Sequence, residues 1–192
     1  MFDAALAYLI DVAFGIVTYA LLLRFVMQVL RAPFRNQVGQ AVIALTDWAV
    51  QPLRRVLPGV RGIDWASLVA AYLCQVLWLV AHYAAFGSGV PATAAGIAYV
   101  LLVAIVALGK AALWLLIVVV LVQAVLSWVA PDGPLAGVLN ALTFPFLRPI
   151  RRVVPPIGGT LDLSPLIVIV AAQLVLMTLV PWLESAAMRL FV

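Results

Sequence analysis

The residues best equipped for chemistry in this chain are arginines, and they come in two matched pairs. "PLRRVLP" occupies 52–58 and "PIRRVVP" occupies 149–155. A guanidinium is a planar fork of donors that grips phosphate bidentately. Arg54 with Arg55, and Arg151 with Arg152, therefore suit the anionic headgroups of lipids, with Arg148 beside the second pair. Each pair lies between prolines, which fix φ and interrupt helical pairing, so the expected element is a stiff hairpin at headgroup depth. The competing reading makes these arginines ordinary topology signals solvated at the membrane surface. Nucleic acid is not an expected partner, because eight arginines in two short loops without stacking aromatics form no groove.

Other polar residues are few. Asp162, Ser164 and Pro165 read as a helix start, with Ser at the N-cap, Pro at N1 and an acid near the positive dipole end. Asp162 is also placed to pair with Arg151 or Arg152, and Asp64 holds the corresponding place after the first arginine pair. Asp11, Arg24, Lys110 and Gln123 fall inside apolar stretches, where ionisable groups are costly and find partners, water or the interface. With one His (His82) and one Cys (Cys74), the chain offers no metal cluster, no internal disulfide and no nucleophile with a partnered base. No Gly-rich phosphate loop or haem-attachment motif occurs. Neither a cofactor nor an enzymatic activity is expected.

The elements that must hold these residues are membrane helices. Two thirds of the chain is hydrophobic and only 9% is charged, too little to cover a soluble domain. No Asp, Glu, Lys or Arg occurs in 65–109, 111–131 or 163–183. About 20 apolar residues cross a hydrocarbon layer of ~30 Å. The first window is too long for one crossing and breaks at "GSGVPAT" (87–93). Four spans follow, at 4–30, 66–86, 97–130 and 164–184. The first is read as a retained helix rather than a signal peptide, since Asp3 and Asp11 flank it and no basic n-region precedes it. Between the spans, 36–50 and 134–147 place apolar residues at helical spacing with polar ones opposite. They are expected to be amphipathic helices lying in the headgroup region, with Trp48 as an anchor.

The chain also matches itself. An offset of 97 lays "PLRRVLP" over "PIRRVVP", 98 lays Asp64 on Asp162 and Gln75 on Gln173, and 99 lays Arg24 on Gln123 and Asp11 on Lys110. The reading is two tandem copies, 1–90 and 95–192, each a span, an interfacial helix, an Arg-Arg hairpin and a span. Two crossings per copy return the chain to its starting side, so the copies are parallel about an axis along the membrane normal. That symmetry predicts an Asp11–Lys110 contact between spans one and three, and offers Gln123 as an acceptor for Arg24. Arg31, Arg35, Arg54, Arg55, Arg61, Arg148, Arg151 and Arg152 lie in the two loops on one side, against Arg189 alone on the other. The positive-inside rule places those loops in the cytoplasm and both termini outside.

The doubled pattern, and above all "LTFPFLRPIRRVVPPIGGTLDLSPLIV" (142–168), resembles the YggT family of small membrane proteins, also called YlmG. The resemblance covers nearly the whole chain. The first copy departs from it where Leu68 follows Asp64-Trp-Ala-Ser67 in place of the proline at 165. The resemblance implies no defined biochemical activity. It does imply links to osmotic or ion tolerance and cell division in bacteria, and to cytochrome-complex assembly or nucleoid organisation in plastids. The expected function is an inner-membrane scaffold or assembly factor whose basic loops meet anionic lipid and a partner membrane complex or a second copy. The alternative is a small ion channel or transporter subunit.

Overall fold

The computed structural model describes residues 2–59, 62–87, 93–155 and 162–191, and the side chains of these except 2, 190 and 191. Its order is α1 (Phe2–Val29), α2 (Gln37–Val56), α3 (Trp65–Phe86), α4 (Ala94–Val129), α5 (Ala136–Val153) and α6 (Ser164–Phe191). Helices α1, α3, α4 and α6 are long and apolar enough to cross a membrane. They coincide with the expected spans except that α6 runs on through Pro181 to Phe191. Proline there removes one hydrogen bond without ending the helix. Large apolar side chains such as Leu9, Ile16, Leu77, Ile105, Leu174 and Met177 stand exposed on these four helices. Such a surface is stable in lipid and not in water. At 1.5 Å per residue the 36 residues of α4 are ~54 Å long, so α4 must tilt or protrude from ~30 Å of hydrocarbon.

Polar caps mark the helix starts. Asn36, Asp64 and Thr93 accept from the backbone N–H three residues on, at 2.9, 3.4 and 3.1 Å. Arg31 takes a left-handed φ of 54° at the end of α1, the turn being closed by Ala32 N–H to the Met27 carbonyl at 2.8 Å. The chain then doubles back so closely that a Cβ on Gly39 would lie 2.4 Å from the Phe34 carbonyl oxygen. Only glycine fits there.

The prolines do less than their positions suggest. No hairpin begins at Pro52 or Pro149: α2 continues through Pro52 to Val56, and α5 through Pro145 and Pro149 to Val153. Both arginine pairs therefore sit in the last helical turn, where cations meet the negative end of the helix dipole. Each of these prolines is exposed on its helix. The two short helices end at 56 and 153 rather than near 50 and 147. Of the expected hairpins, 60–61 (with Arg61) and 156–161 lie outside the described residues, as does most of the 87–93 turn.

Packing follows the same scheme twice. Helix α1 packs on α3 with α2 against both, and α4 packs on α6 with α5 against both; α3, α1 and α4 then join the halves. The first half closes around Leu21, Val50, Ala66, Ala70, Ala71 and Cys74. The run of alanines lets backbones approach closely, as membrane helices require where lipid offers no hydrophobic drive to associate. Inside this core the Gln75 amide donates to the Thr18 hydroxyl at 3.3 Å.

Candidate functional site

At the end of the bundle that bears the arginines, three helices of the first half converge on Asp64. Its side chain is 1% exposed. It caps α3 by accepting from the Ser67 N–H and from the Ser67 hydroxyl at 2.6 Å. Arg54, in the last turn of α2, donates to it through Nη2 and, at 3.4 Å, through Nε. Arg24 of α1 approaches to 3.9 Å. Burial alone would raise the Asp64 pKa, but the hydrogen bonds from Arg54 and Ser67 outweigh it and hold the carboxyl below the ordinary aspartate range.

Arg24 is buried, and its neighbours explain how. Its Nη1 donates to the Thr46 hydroxyl and to Asp47 Oδ1, each at 2.7 Å. The Arg24 hydrogen bond lowers the Asp47 pKa as well. A guanidinium inside a span is thus matched by one close carboxylate on α2 and a second at the start of α3, the pairing a buried charge demands. The suggested donation to Gln123 does not occur; Arg24 donates to Thr46 and the charged Asp47 of α2 instead.

The second half repeats the outline with a different interior. Arg151 donates to Asp162 Oδ2 through Nε at 2.8 Å, with Nη2 in ion-pair contact with the same oxygen at 2.7 Å, and Asp162 Oδ1 accepts from the Ser164 N–H at 2.9 Å. Burial again pushes the Asp162 carboxyl up, and the Ser164 and Arg151 hydrogen bonds bring it below its usual range. Gln123 stands where the offset places Arg24, and Phe144 (47 + 97) where it places Asp47. Neither member of the charged pair has a charged counterpart in the second half. Gln123 donates to Asn140 Oδ1 at 3.4 Å, and Thr143, the counterpart of Thr46, returns its hydroxyl to the Leu139 carbonyl at 2.8 Å.

Each arginine pair is therefore divided. Arg54 and Arg151 are committed to an aspartate. Arg55 and Arg152 are exposed and have no hydrogen-bond or ion-pair partner among the described residues. The Arg148 guanidinium lies over the exposed Phe144 ring at 5.2 Å, a cation–π contact at the surface. Among the described residues no group of three His, Cys, Asp or Glu side chains is placed to hold a metal.

Away from the arginine end the expected Asp11–Lys110 pair is replaced by two others. Asp11 accepts from the Trp78 indole at 2.8 Å, with His82 Nδ1 at 3.9 Å. Lys110 meets Glu184 at 3.7 Å. The correction comes from the packing of α6 on α4, which brings Glu184 to Lys110, and of α3 on α1, which brings the Trp78 indole to Asp11. Asp11, Lys110 and Glu184 nonetheless line one cavity. Sequence reasoning missed Asp47, Thr46, Ser67 and Glu184 as partners. A shortlist that includes Asp47 and Glu184 was within reach, since seven acids serve the whole chain and each buried or intramembrane cation needs one, but not the assignment of either to its cation.

These features define a small multi-pass helical membrane protein with two aspartate-tied arginine pairs at one end. The chain belongs to the CCB3/YggT family, whose profile matches it twice, over residues 4–84 and 102–183. It is 33% identical over 181 residues to the uncharacterized protein YggT of Escherichia coli K12, covering 94% of this chain and 92% of that one. It is 34% identical over 175 residues to the uncharacterized protein PA0392 of Pseudomonas aeruginosa, covering 90% and 87%. A protein of Vibrio alginolyticus described by its place in the proC 3′ region is 35% identical over 170 residues, covering 88% and 90%. No solved structure matches the chain.

Proposed function

We propose that this protein is a non-enzymatic scaffold of the bacterial inner membrane, built as two parallel tandem copies. In this reading α2 and α5 lie in the cytoplasmic headgroup layer and both termini are outside. Arg55, Arg152 and Arg148 engage anionic lipid headgroups and position a partner membrane complex or a second copy. The observation that carries the reading is the division of labour within each arginine pair. A topology signal needs charge alone, and all four arginines would then be equivalent. Here one arginine of each pair is fixed by an aspartate, and this fixes the helix end that presents the other outward. The free arginines sit at the end of short helices that turn Val42, Thr46 and Val50, or Val138, Leu142 and Leu147, towards the core.

The test is lipid selectivity of the purified chain in mixed vesicles. Replacing Arg55 and Arg152 by Gln should weaken preference for phosphatidylglycerol over phosphatidylcholine by about 1 kcal/mol per arginine. Replacing Arg54 and Arg151 should mainly lower stability. Equal loss of lipid preference from both double variants, or from neither, would refute the division.

A further inference from the structure

The cavity between α1, α3, α4 and α6 has a volume of about 420 Å³, within the range of small-ligand sites (about 300–1,000 Å³). Its wall is mostly apolar, yet in a protein with few charges to spare Asp11, Lys110 and Glu184 all line it, with Thr18, Gln75 and Trp78. Ionisable groups held on membrane helices mark binding or transport sites more often than structure. No hydrogen bond joins any two of the three among the described residues. There Asp11 accepts from the Trp78 indole at 2.8 Å, with His82 at 3.9 Å, and Lys110 forms a long ion pair with Glu184 at 3.7 Å. Their side chains are half exposed, at 50%, 50% and 44%.

We propose that this cavity binds the headgroup of an aminophospholipid, a primary ammonium joined to a phosphate. Asp11 and Glu184 receive the ammonium N–H groups, and Lys110 meets the phosphate. A zwitterion matches that arrangement, offering a cation to Asp11 and Glu184 and an anion to Lys110. A choline headgroup has no N–H to donate, and a glycerol headgroup has no cation. The occupant is a lipid rather than a soluble amine because the cavity rim continues into apolar surface. Tyr19 and Trp114 line it and stay 39% and 41% exposed on the flanks of α1 and α4, where acyl chains would lie. Asp11 is 13 residues from Arg24 (24 − 11), ~20 Å along α1. The site thus serves the leaflet opposite the one facing Arg55 and Arg152.

The test uses the full chain in mixed micelles with equimolar phosphatidylethanolamine, phosphatidylcholine and phosphatidylglycerol of matched acyl chains. Retained lipid is read by native mass spectrometry. Phosphatidylethanolamine should be retained about tenfold over phosphatidylcholine, the ratio one charge-assisted hydrogen bond supplies. Asp11→Asn with Glu184→Gln should bring that ratio to parity. Gly15→Leu provides a second variant that removes no charge: Gly15 lines the cavity, and a Cβ there meets no atom within 4 Å. It fills the site and favours the helix, so it should abolish retention with no loss of thermal stability. No preference in the native chain, or an undiminished one in both variants, overturns the proposal. Displacement by equimolar O-phosphoethanolamine overturns the lipid assignment by showing a soluble occupant. Arg55→Gln with Arg152→Gln should leave the ratio unchanged, so the outcome is separate from that of the scaffold reading.

Discussion

Replacing Asp64 by Asn should cost clearly more than the same change at Asp162, although the two aspartates occupy equivalent places. Asn keeps an acceptor for the Ser67 N–H, so the helix cap largely survives and the loss is electrostatic. A hydrogen bond to a charged group contributes about 1.5–3 kcal/mol, and a dry ion pair broken on one side costs about 3–5 kcal/mol. Asp64 is 1% exposed, but its partner Arg54 is 41% exposed and can recover water, which argues against the dry figure. Arg24 is the exception: buried, 3.9 Å from Asp64, it would be left with Asp47 alone. Together these give about 2–3 kcal/mol for Asp64→Asn. Asp162 is 24% exposed, and its partner Arg151 is 39% exposed, with no second arginine behind. About 1 kcal/mol is expected there. The assay is reversible unfolding of the full chain in mixed detergent micelles, followed by circular dichroism, with an Arg54→Gln/Asp64→Asn double-mutant cycle for the coupling. Equal costs at the two aspartates, or a larger cost at Asp162, would show that Arg24 does not reinforce the first tie and refute the reasoning.

Asp64 and Asp162 both have pKa values lowered by folding, so their contribution is present above the unfolded aspartate value of about 3.9 and is lost as pH falls through the folded one. Stability of the native chain should therefore decline below about pH 4, and an Asp64→Asn/Asp162→Asn variant should show a shallower decline in the same titration. Gly39→Ala should destabilise by about 1–3 kcal/mol, because its Cβ would meet the Phe34 backbone 2.4 Å away and the α1–α2 turn must shift; thermal unfolding measures it. Gln123→Arg alone should destabilise the second half, and adding Phe144→Asp should recover much of the loss by recreating the Arg24–Asp47 arrangement. No recovery in the unfolding midpoint of the double variant would mean the two halves differ in more than this pair.

The amino-acid sequence by itself determined the class, the four apolar helices and the side-chain chemistry available. A bilayer demands ~20-residue apolar runs, and no other segments of this chain supply them. The charge-free windows and the breaks between them were therefore legible, as was the recurrence of Pro-x-Arg-Arg and Asp. Even the Arg151–Asp162 tie was an open alternative, since the two lie close along the chain. Partner choice was not legible. Periodicity says which residues share a helix face, but not which neighbour a face meets or how far a helix slides along it. Arg24 could not be assigned to Asp47 until α2 was folded against α1, and Lys110 was read against Asp11 because symmetry pairs equivalent positions without showing that α6 packs on α4 and brings Glu184 to it. The prolines misled for a related reason. A proline inside a helix kinks or breaks it, and only the tertiary structure shows that α2 and α5 run on through the exposed Pro52, Pro145 and Pro149 and carry the arginines with them.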